Sequence, residues 1–260
     1  MSSIVIPDVW SSVRQFTKAR IALGRSGVSL PTNEVLNFSL AHAQARDAVH
    51  LPLDIGGLQT ELMALGYTVH TVSSAAADRA TYLRRPDWGR KLNDNSRAQL
   101  ALERPQRAPE YVFVVADGLS SLAAEHALPL LAELEKLLPN LKQCPVVIAT
   151  QARVALGDEI GHHLGAKQIV MMIGERPGLS SPNSMGLYLT HGPKPGLSDA
   201  NRNCISNVRP EGLNYAEAAH KLAWLMASAR KLGRSGVDLK DESGGALSSV
   251  TPATLASGAG

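Results

Sequence analysis

Three short runs of apolar, mostly β-branched residues constrain the fold of this chain more than any other feature. They cover Tyr111–Ala116, Pro145–Thr150 and Gln168–Ile173. A continuous apolar run of this length is typical of a strand buried on both faces, as in a parallel sheet. Helical patterns at Leu122–Leu138 and within Val154–Leu164 separate the runs. This alternation predicts an α/β fold with a Rossmann-like parallel sheet.

The rest of the chain falls into two further regions. A fourth apolar run, Ser184–Thr190, and a last helix, Tyr215–Leu232, complete a predicted sheet domain over residues 108–237. Residues 1–107 predict a smaller, mostly helical N-terminal region, with helices at Asp8–Leu23, from Pro31 to about Val49 and at Leu58–Leu65, before a strand at Tyr67–Ser73. Residues 238–260 have little to bury, which predicts a flexible tail.

Composition and charge exclude several classes of protein. The net charge of +3 gives no case for non-specific nucleic-acid binding. No segment reaches the ~18 consecutive apolar residues of a membrane span. The cysteines, Cys144 and Cys204, lack the spacing of a zinc site or a disulfide framework, so we expect neither. Isolated cysteines fit a reducing cytosol.

Candidate binding residues follow the predicted strands, because ligands of open α/β sheets bind at the carboxyl ends of strands. The segment Asp117–Ser121 follows the first run, where it either caps a helix or faces a ligand. Arg153 follows the second run and can hold a phosphate, an amide or a carboxylate; the competing interpretation is a solvated arginine.

The tetrapeptide E-R-P-G at 175–178 follows the third run. Its proline and glycine fix the turn, so that Glu175 and Arg176 are held in place. Glu175 can accept hydrogen bonds from a ligand, although a local surface ion pair of little energetic value is the alternative. Cys204 lies in a polar segment that either lines a ligand as a loop or holds a small buried cysteine, which is the commoner case; no motif indicates a nucleophile.

An arginine-rich turn, Arg84–Arg90, surrounds Trp88 and suits a protein interface, or is a solvated basic loop. No paired carboxylates, HExxH, GxSxG or P-loop motif is present. The residues alone therefore predict a Rossmann-like binding module with a ligand edge. A stand-alone nucleotide- or metabolite-binding module and a hydrolase using Asp117 or Glu175 remain open.

Six segments together resemble the small (light) subunit family of ethanolamine ammonia-lyases. Each is weak alone, but they occur in the family's order and are spread over most of the span of residues 10–235. They are TKARIALGRSG (17–27), YLRRPDWGRKL (82–92), VVADGLSS (114–121), ARVALGDEIGHHLGA (152–166), IGERPGLSSPNSMGLYLT (173–190) and DANRNCISNVRPEG (199–212).

The resemblance implies an adenosylcobalamin-dependent lyase complex that converts ethanolamine to acetaldehyde and ammonia by radical chemistry, which begins when the cobalt–carbon bond breaks. In this family a large subunit, a TIM barrel, holds the substrate, and the small subunit covers the cobalamin. The implied cobalamin contacts are Val154, Glu175 and Cys204, to which we add their neighbours Arg153 and Arg176. We expect no catalytic residue and no metal ligand in this chain, and no activity without the large subunit.

Two further expectations concern the cofactor and the location. The D-x-H-x-x-G pattern of cobalamin proteins that supply a histidine to cobalt is missing; Ile160 stands where its aspartate would be, before His162. We therefore expect cobalamin to keep its own dimethylbenzimidazole ligand. Family members destined for bacterial microcompartments often carry a longer amphipathic leader than the short segment before Trp10. A cytoplasmic location is expected, and encapsulation by that route is disfavoured.

Overall fold

The computed structural model describes residues 4–244, and a mixed six-stranded sheet lies at the centre of this part of the chain. The strands are β1 (Val69–Ser73), β2 (Tyr111–Ala116), β3 (Val146–Thr150), β4 (Gln168–Gly174), β5 (Met185–His191) and β6 (Arg202–Val208). The helices are α1 (Thr32–His50), α2 (Ile55–Ala64), α3 (Arg79–Arg84), α4 (Asp94–Leu102), α5 (Ala127–Glu135), α6 (Leu156–Leu164) and α7 (Tyr215–Leu232).

The strand order is β1-β3-β2-β4-β5-β6. The first four strands in this order are parallel, whereas β5 is antiparallel to β4 and β6 is antiparallel to β5. The predicted α/β class is confirmed, but a wholly parallel sheet is wrong. The physical reason is that the connection between β4 and β5 is short. A parallel pair would need a crossover of a dozen or more residues, which this connection cannot provide.

The central strands are apolar throughout because helices cover both faces of the sheet. Every residue of β2 is buried. Phe113 and Val115 belong to a core cluster with residues of α5 and α7. Val112 and Val114 face the opposite way, into a cluster with residues of α4 and α6. Side chains of successive strand residues point to opposite faces, so each face of β2 is buried against its own layer of helices.

Two local predictions are wrong. The segment predicted as a helix over Asp8–Leu23 forms only a 3-10 helix at Ser11–Phe16, none of whose residues is buried. A short helix without a packing surface is marginal in water, which explains the difference. The segment around Cys204 is strand β6 rather than a loop, with Ile205 and Val208 buried beneath a polar edge.

Other differences lie at the ends of elements. The predicted helix Leu122–Leu138 is a 3-10 helix, Ser121–His126, followed by α5. Residues 238–244 of the predicted tail pack on the domain, with Leu239 buried and Lys221 3.1 Å from Asp241. Residues 245–260 lie outside the described residues. Within residues 4–244, none of the helices combines the length and the apolar character needed to cross a membrane.

Candidate functional site

A crevice opens at the carboxyl edge of the sheet, where the connections after β2, β3 and β4 meet. Its volume is about 300 Å³. We call it the strand-edge crevice, and its lining residues are Tyr82, Gly118, Leu119, Arg153, Val154, Ile173, Gly174, Glu175, Arg176 and Tyr188. Four of the five residues predicted from the sequence therefore line one crevice, and the fifth, Cys204, lies beside it.

The base of the crevice is a close backbone contact between the loops that follow β2 and β4. Leu119 N–H donates to the Gly174 carbonyl at 2.9 Å. Gly118 has φ +53°, and a Cβ there would lie 2.2 Å from the same carbonyl oxygen. A Cβ on Gly174 would in turn lie 2.0 Å from the backbone carbonyl oxygen of Ser120. Both positions therefore require glycine for the loops to approach this closely.

Asp117 holds the loop that carries Arg153, rather than facing the crevice. Its carboxylate accepts the backbone N–H groups of Gln151 at 2.8 Å and Ala152 at 3.0 Å. Burial raises the pKa of Asp117, while these donors and Arg79 oppose the shift. With both oxygens engaged and the residue buried, Asp117 acts as a brace, which weakens the interpretation of a hydrolase that uses it.

Arg153 is fixed by contacts with residues that precede α4. Its backbone N–H donates, at 2.8 Å, to the carbonyl of Gly89, a residue of the arginine-rich turn. Its guanidinium lies over the ring of Tyr82, 4.3 Å from the ring centre. The Tyr82 hydroxyl donates to the Ala152 carbonyl at 3.0 Å, and burial raises its pKa to about 12. The phenol is therefore neutral and holds the same loop from the other side.

Arg79 is a second arginine against the same ring, with its guanidinium 4.7 Å from the centre of Tyr82. It donates to the Gly118 carbonyl at 2.8 Å. Neither Arg79 nor Tyr82 is among the site residues predicted from the sequence. They belong to α3, and only the pairing of β1 with β3 brings the segment after β1 to this edge. Tyr82 does begin the YLRRPDWGRKL segment, so the resemblance of that segment to the family was a signal that could have indicated it.

Glu175 is half-buried at the turn from β4 into β5, and only one of its oxygens has hydrogen-bond donors. Oε2 accepts from the Ser184 hydroxyl at 2.5 Å and from the Asn207 backbone N–H at 3.3 Å. Oε1 accepts no hydrogen bond from residues 4–244, so it is available to a ligand. The adjacent Arg176 is exposed at the mouth of the crevice. The alternative of a local ion pair between Glu175 and Arg176 is not formed: within the described range neither Arg176 nor Arg153 lies within 4.0 Å of a carboxylate.

Cys204 reaches the crevice through Tyr188, its partner across the β5–β6 pair. Cys204 is exposed on the strand beside the crevice. Desolvation raises the pKa of the Cys204 thiol above its usual value, and the neighbouring Tyr188 only partly opposes this. The thiol is therefore protonated at neutral pH. A wall residue fits this chemistry better than a nucleophile, which needs a lowered pKa.

Comparison with known proteins identifies the family. The family model of the ethanolamine ammonia-lyase light chain matches residues 7–240. The small subunit of ethanolamine ammonia-lyase from Pseudomonas fluorescens (strain Pf0-1) is 56% identical over 239 residues, 90% of this chain and 87% of the relative. The protein of the same name from Ralstonia nicotianae is 53% identical over 243 residues, 91% of this chain and 90% of the relative. The resemblance of the six segments is thereby confirmed: the chain belongs to the ethanolamine ammonia-lyase light-chain family.

Proposed function

We propose that this chain is the small subunit of an adenosylcobalamin-dependent ethanolamine ammonia-lyase and that its strand-edge crevice covers one side of the cobalamin. Family membership supports the reaction, in which ethanolamine yields acetaldehyde and ammonia. The observation that carries the site is the convergence of Arg153, Val154, Glu175 and Arg176 on one crevice, with Cys204 paired across the strands with Tyr188 of its wall.

The crevice fits part of a corrinoid rather than a whole one. Its volume of about 300 Å³ is at the lower end of small-molecule pockets, and cobalamin is much larger than a drug-sized ligand. Val154 and Ile173 offer an apolar wall, while Glu175 Oε1 can accept from a side-chain amide of the corrin or from its ribose. When bound, the cofactor would supply the radical chemistry, and the protein would supply orientation.

The residues of this chain would bind and shield without reacting. Gly118 and Gly174 keep the base of the crevice narrow, and the Tyr188–Cys204 pair closes one side. No histidine lines the crevice within residues 4–244. His162 lies on α6 and is exposed. We therefore infer that cobalamin keeps its dimethylbenzimidazole, and that EPR of the loaded complex shows no nitrogen coupling from a protein histidine.

The surface of the N-terminal region supports a partner, which we propose is the large subunit that binds the substrate. Helix α1 has 19 residues, of which only Glu34 and Ala48 are buried. Trp10 and Phe16 are 68% and 82% exposed, and Leu36 is 62% exposed. Apolar patches of this kind on a soluble chain mark protein–protein contacts. The arginine-rich turn around Trp88 is the second candidate contact. We place the complex in the cytoplasm.

Reconstitution with the large subunit tests this function. We expect ethanolamine-dependent release of acetaldehyde only when both subunits and adenosylcobalamin are present. Glu175→Ala is expected to weaken corrinoid binding and lower turnover. Glu175→Gln should also weaken binding, because its carbonyl takes the place of Oε2 beside Ser184 and Asn207 and its NH₂ group replaces the acceptor Oε1. Glu217→Ala, at an exposed position on α7, is the matched control.

Each contrary outcome identifies a different error. Full corrinoid affinity and turnover in Glu175→Ala would place the cofactor contacts elsewhere. An assembled complex indifferent to cobalamin would favour a stand-alone metabolite-binding module, and activity of this chain alone would favour a hydrolase.

A further inference from the structure

The guanidinium of Arg153 has donors that the described residues leave unused. Its Nε is buried and has no hydrogen-bond partner within residues 4–244. Nη2 makes one long contact, 3.4 Å to the Tyr82 carbonyl. A buried donor without an acceptor costs free energy, so its retention at a crevice wall points to an acceptor that arrives with a ligand.

The charge around Arg153 favours a negatively charged acceptor. The Asp117 carboxylate is already committed to two backbone N–H groups and lies 3.5 Å from Arg79. Glu175 supplies one negative charge to the crevice, held through Oε2 by Ser184 and Asn207, against the positive charge of Arg153. Arg176 adds a second cation at the mouth. The crevice therefore keeps an excess of positive charge on its Arg153 side.

Arg153 is also held in place before any ligand binds. The Tyr82 ring contacts both Arg153 and Arg79, and Tyr82 is fully buried. Nη2 of Arg79 is a second buried nitrogen without a partner in the described part of the chain. A planar guanidinium with a fixed orientation suits the tetrahedral oxygens of a phosphate, to which arginine can donate two parallel hydrogen bonds.

We propose that Arg153, held against Tyr82, binds the phosphate group of the crevice's ligand. This inference rests on the proposed function, because the phosphate is then the diester in the nucleotide loop of cobalamin. The shared chemistry is that of a phosphate oxyanion, and a free phosphate is the other source that an experiment must distinguish.

The test compares two corrinoids on the assembled two-subunit complex. Hydroxocobalamin carries the nucleotide loop with its phosphate, and cobinamide lacks both. Arg153→Met is expected to weaken hydroxocobalamin binding about 10- to 100-fold, the range of a charge-assisted hydrogen bond, and to leave cobinamide binding unchanged. Arg153→Lys should recover part of the loss. Arg107→Met, an exposed arginine at the other edge of the sheet, is the matched control.

The outcomes separate this inference from the function beneath it. If Arg153→Met lost equal affinity for both corrinoids, or lost none for either, the proposed phosphate contact would be overturned. The proposal that the complex binds cobalamin would still stand. Failure of the wild-type complex to bind either corrinoid would instead refute the proposed function. Inorganic phosphate that binds the wild type, but not Arg153→Met, while hydroxocobalamin binds both equally, would assign the site to free phosphate and overturn the diester. If Arg153→Met does not assemble, Arg153→Gln is measured in the same way.

Discussion

Gly118→Ala is the substitution whose effect the structure specifies most closely. The residue has φ +53°, and the added Cβ would lie 2.2 Å from the Gly174 carbonyl oxygen and 2.5 Å from a side-chain carbon of Ile173. Contacts of Cβ atoms below 3.0 Å are essentially never observed. The carbonyl belongs to the backbone and cannot rotate away as a flexible side chain would, so the loops after β2 and β4 must separate.

The expected cost has two parts, and a second glycine isolates them. A non-glycine residue in the left-handed region costs roughly 1–2 kcal/mol, less the entropy that alanine removes from the unfolded chain. Gly192 has nearly the same angle, φ +59°, but a Cβ added there would meet nothing within 4 Å. Only Gly118→Ala adds overpacking of about 1–3 kcal/mol and loss of the hydrogen bond from Leu119 to Gly174, about 1 kcal/mol.

Urea unfolding of the two variants measures this difference. We expect Gly118→Ala to lower the free energy of unfolding by roughly 2–4 kcal/mol more than Gly192→Ala does. The melting temperature should follow, by about 2–4 °C for each kcal/mol in a chain of this size. Equal losses in the two variants would show that the backbone angle alone matters, and that the two loops are not in the contact that forms the base of the crevice.

Three further substitutions test other parts of the structure. Trp88→Ala should weaken assembly with the large subunit more than it lowers the melting temperature, because Trp88 is 39% exposed and its ring contacts Arg85; unchanged assembly in sedimentation would reject this. Arg202→Met should cost about 3–5 kcal/mol in urea unfolding by leaving Asp158 buried without its partner, and a second change, Asp158→Leu, should recover much of it. Alkylation of the exposed Cys204, followed by mass spectrometry, should accelerate only above the usual thiol pKa, since its own is raised; a midpoint below about pH 8.5 would contradict the raised pKa.

The sequence identifies what depends on local pattern and misses what depends on pairing. Continuous apolar runs predict β2, β3 and β4 because strands covered on both faces need such side chains. The antiparallel direction of β5 could also have been predicted from the sequence, since the residues between it and β4 are too few for a helical crossover. Strand β6 could not be predicted in this way, because its residues are mostly polar, and these hide the short buried pattern of Ile205 and Val208.

The candidate site divides in the same way. Arg153, Glu175 and their neighbours follow strands, and a general rule about the edges of α/β sheets is enough to group them. Tyr82 and Arg79 precede the predicted sheet domain, and no periodicity places them beside Arg153. Their position depends on β1, an edge strand that pairs only with β3 in the described sheet.

This dependence links the stability of the sheet edge to the site. Val69–Ser73 align residue by residue with Val146–Thr150, which sets where α3 begins and therefore where the Tyr82 ring meets the β3 loop. The Tyr82 hydroxyl then donates a hydrogen bond to the Ala152 carbonyl, and in the turn after α3 the Gly89 carbonyl accepts one from the Arg153 backbone N–H. A ligand held by Arg153 would stabilise β1 docking through these contacts, because binding to the folded edge shifts the equilibrium away from its opened form. Hydrogen exchange of the β1 amides should therefore slow when the crevice is occupied, and an unchanged rate would mean that the edge strand and the arginine are not coupled.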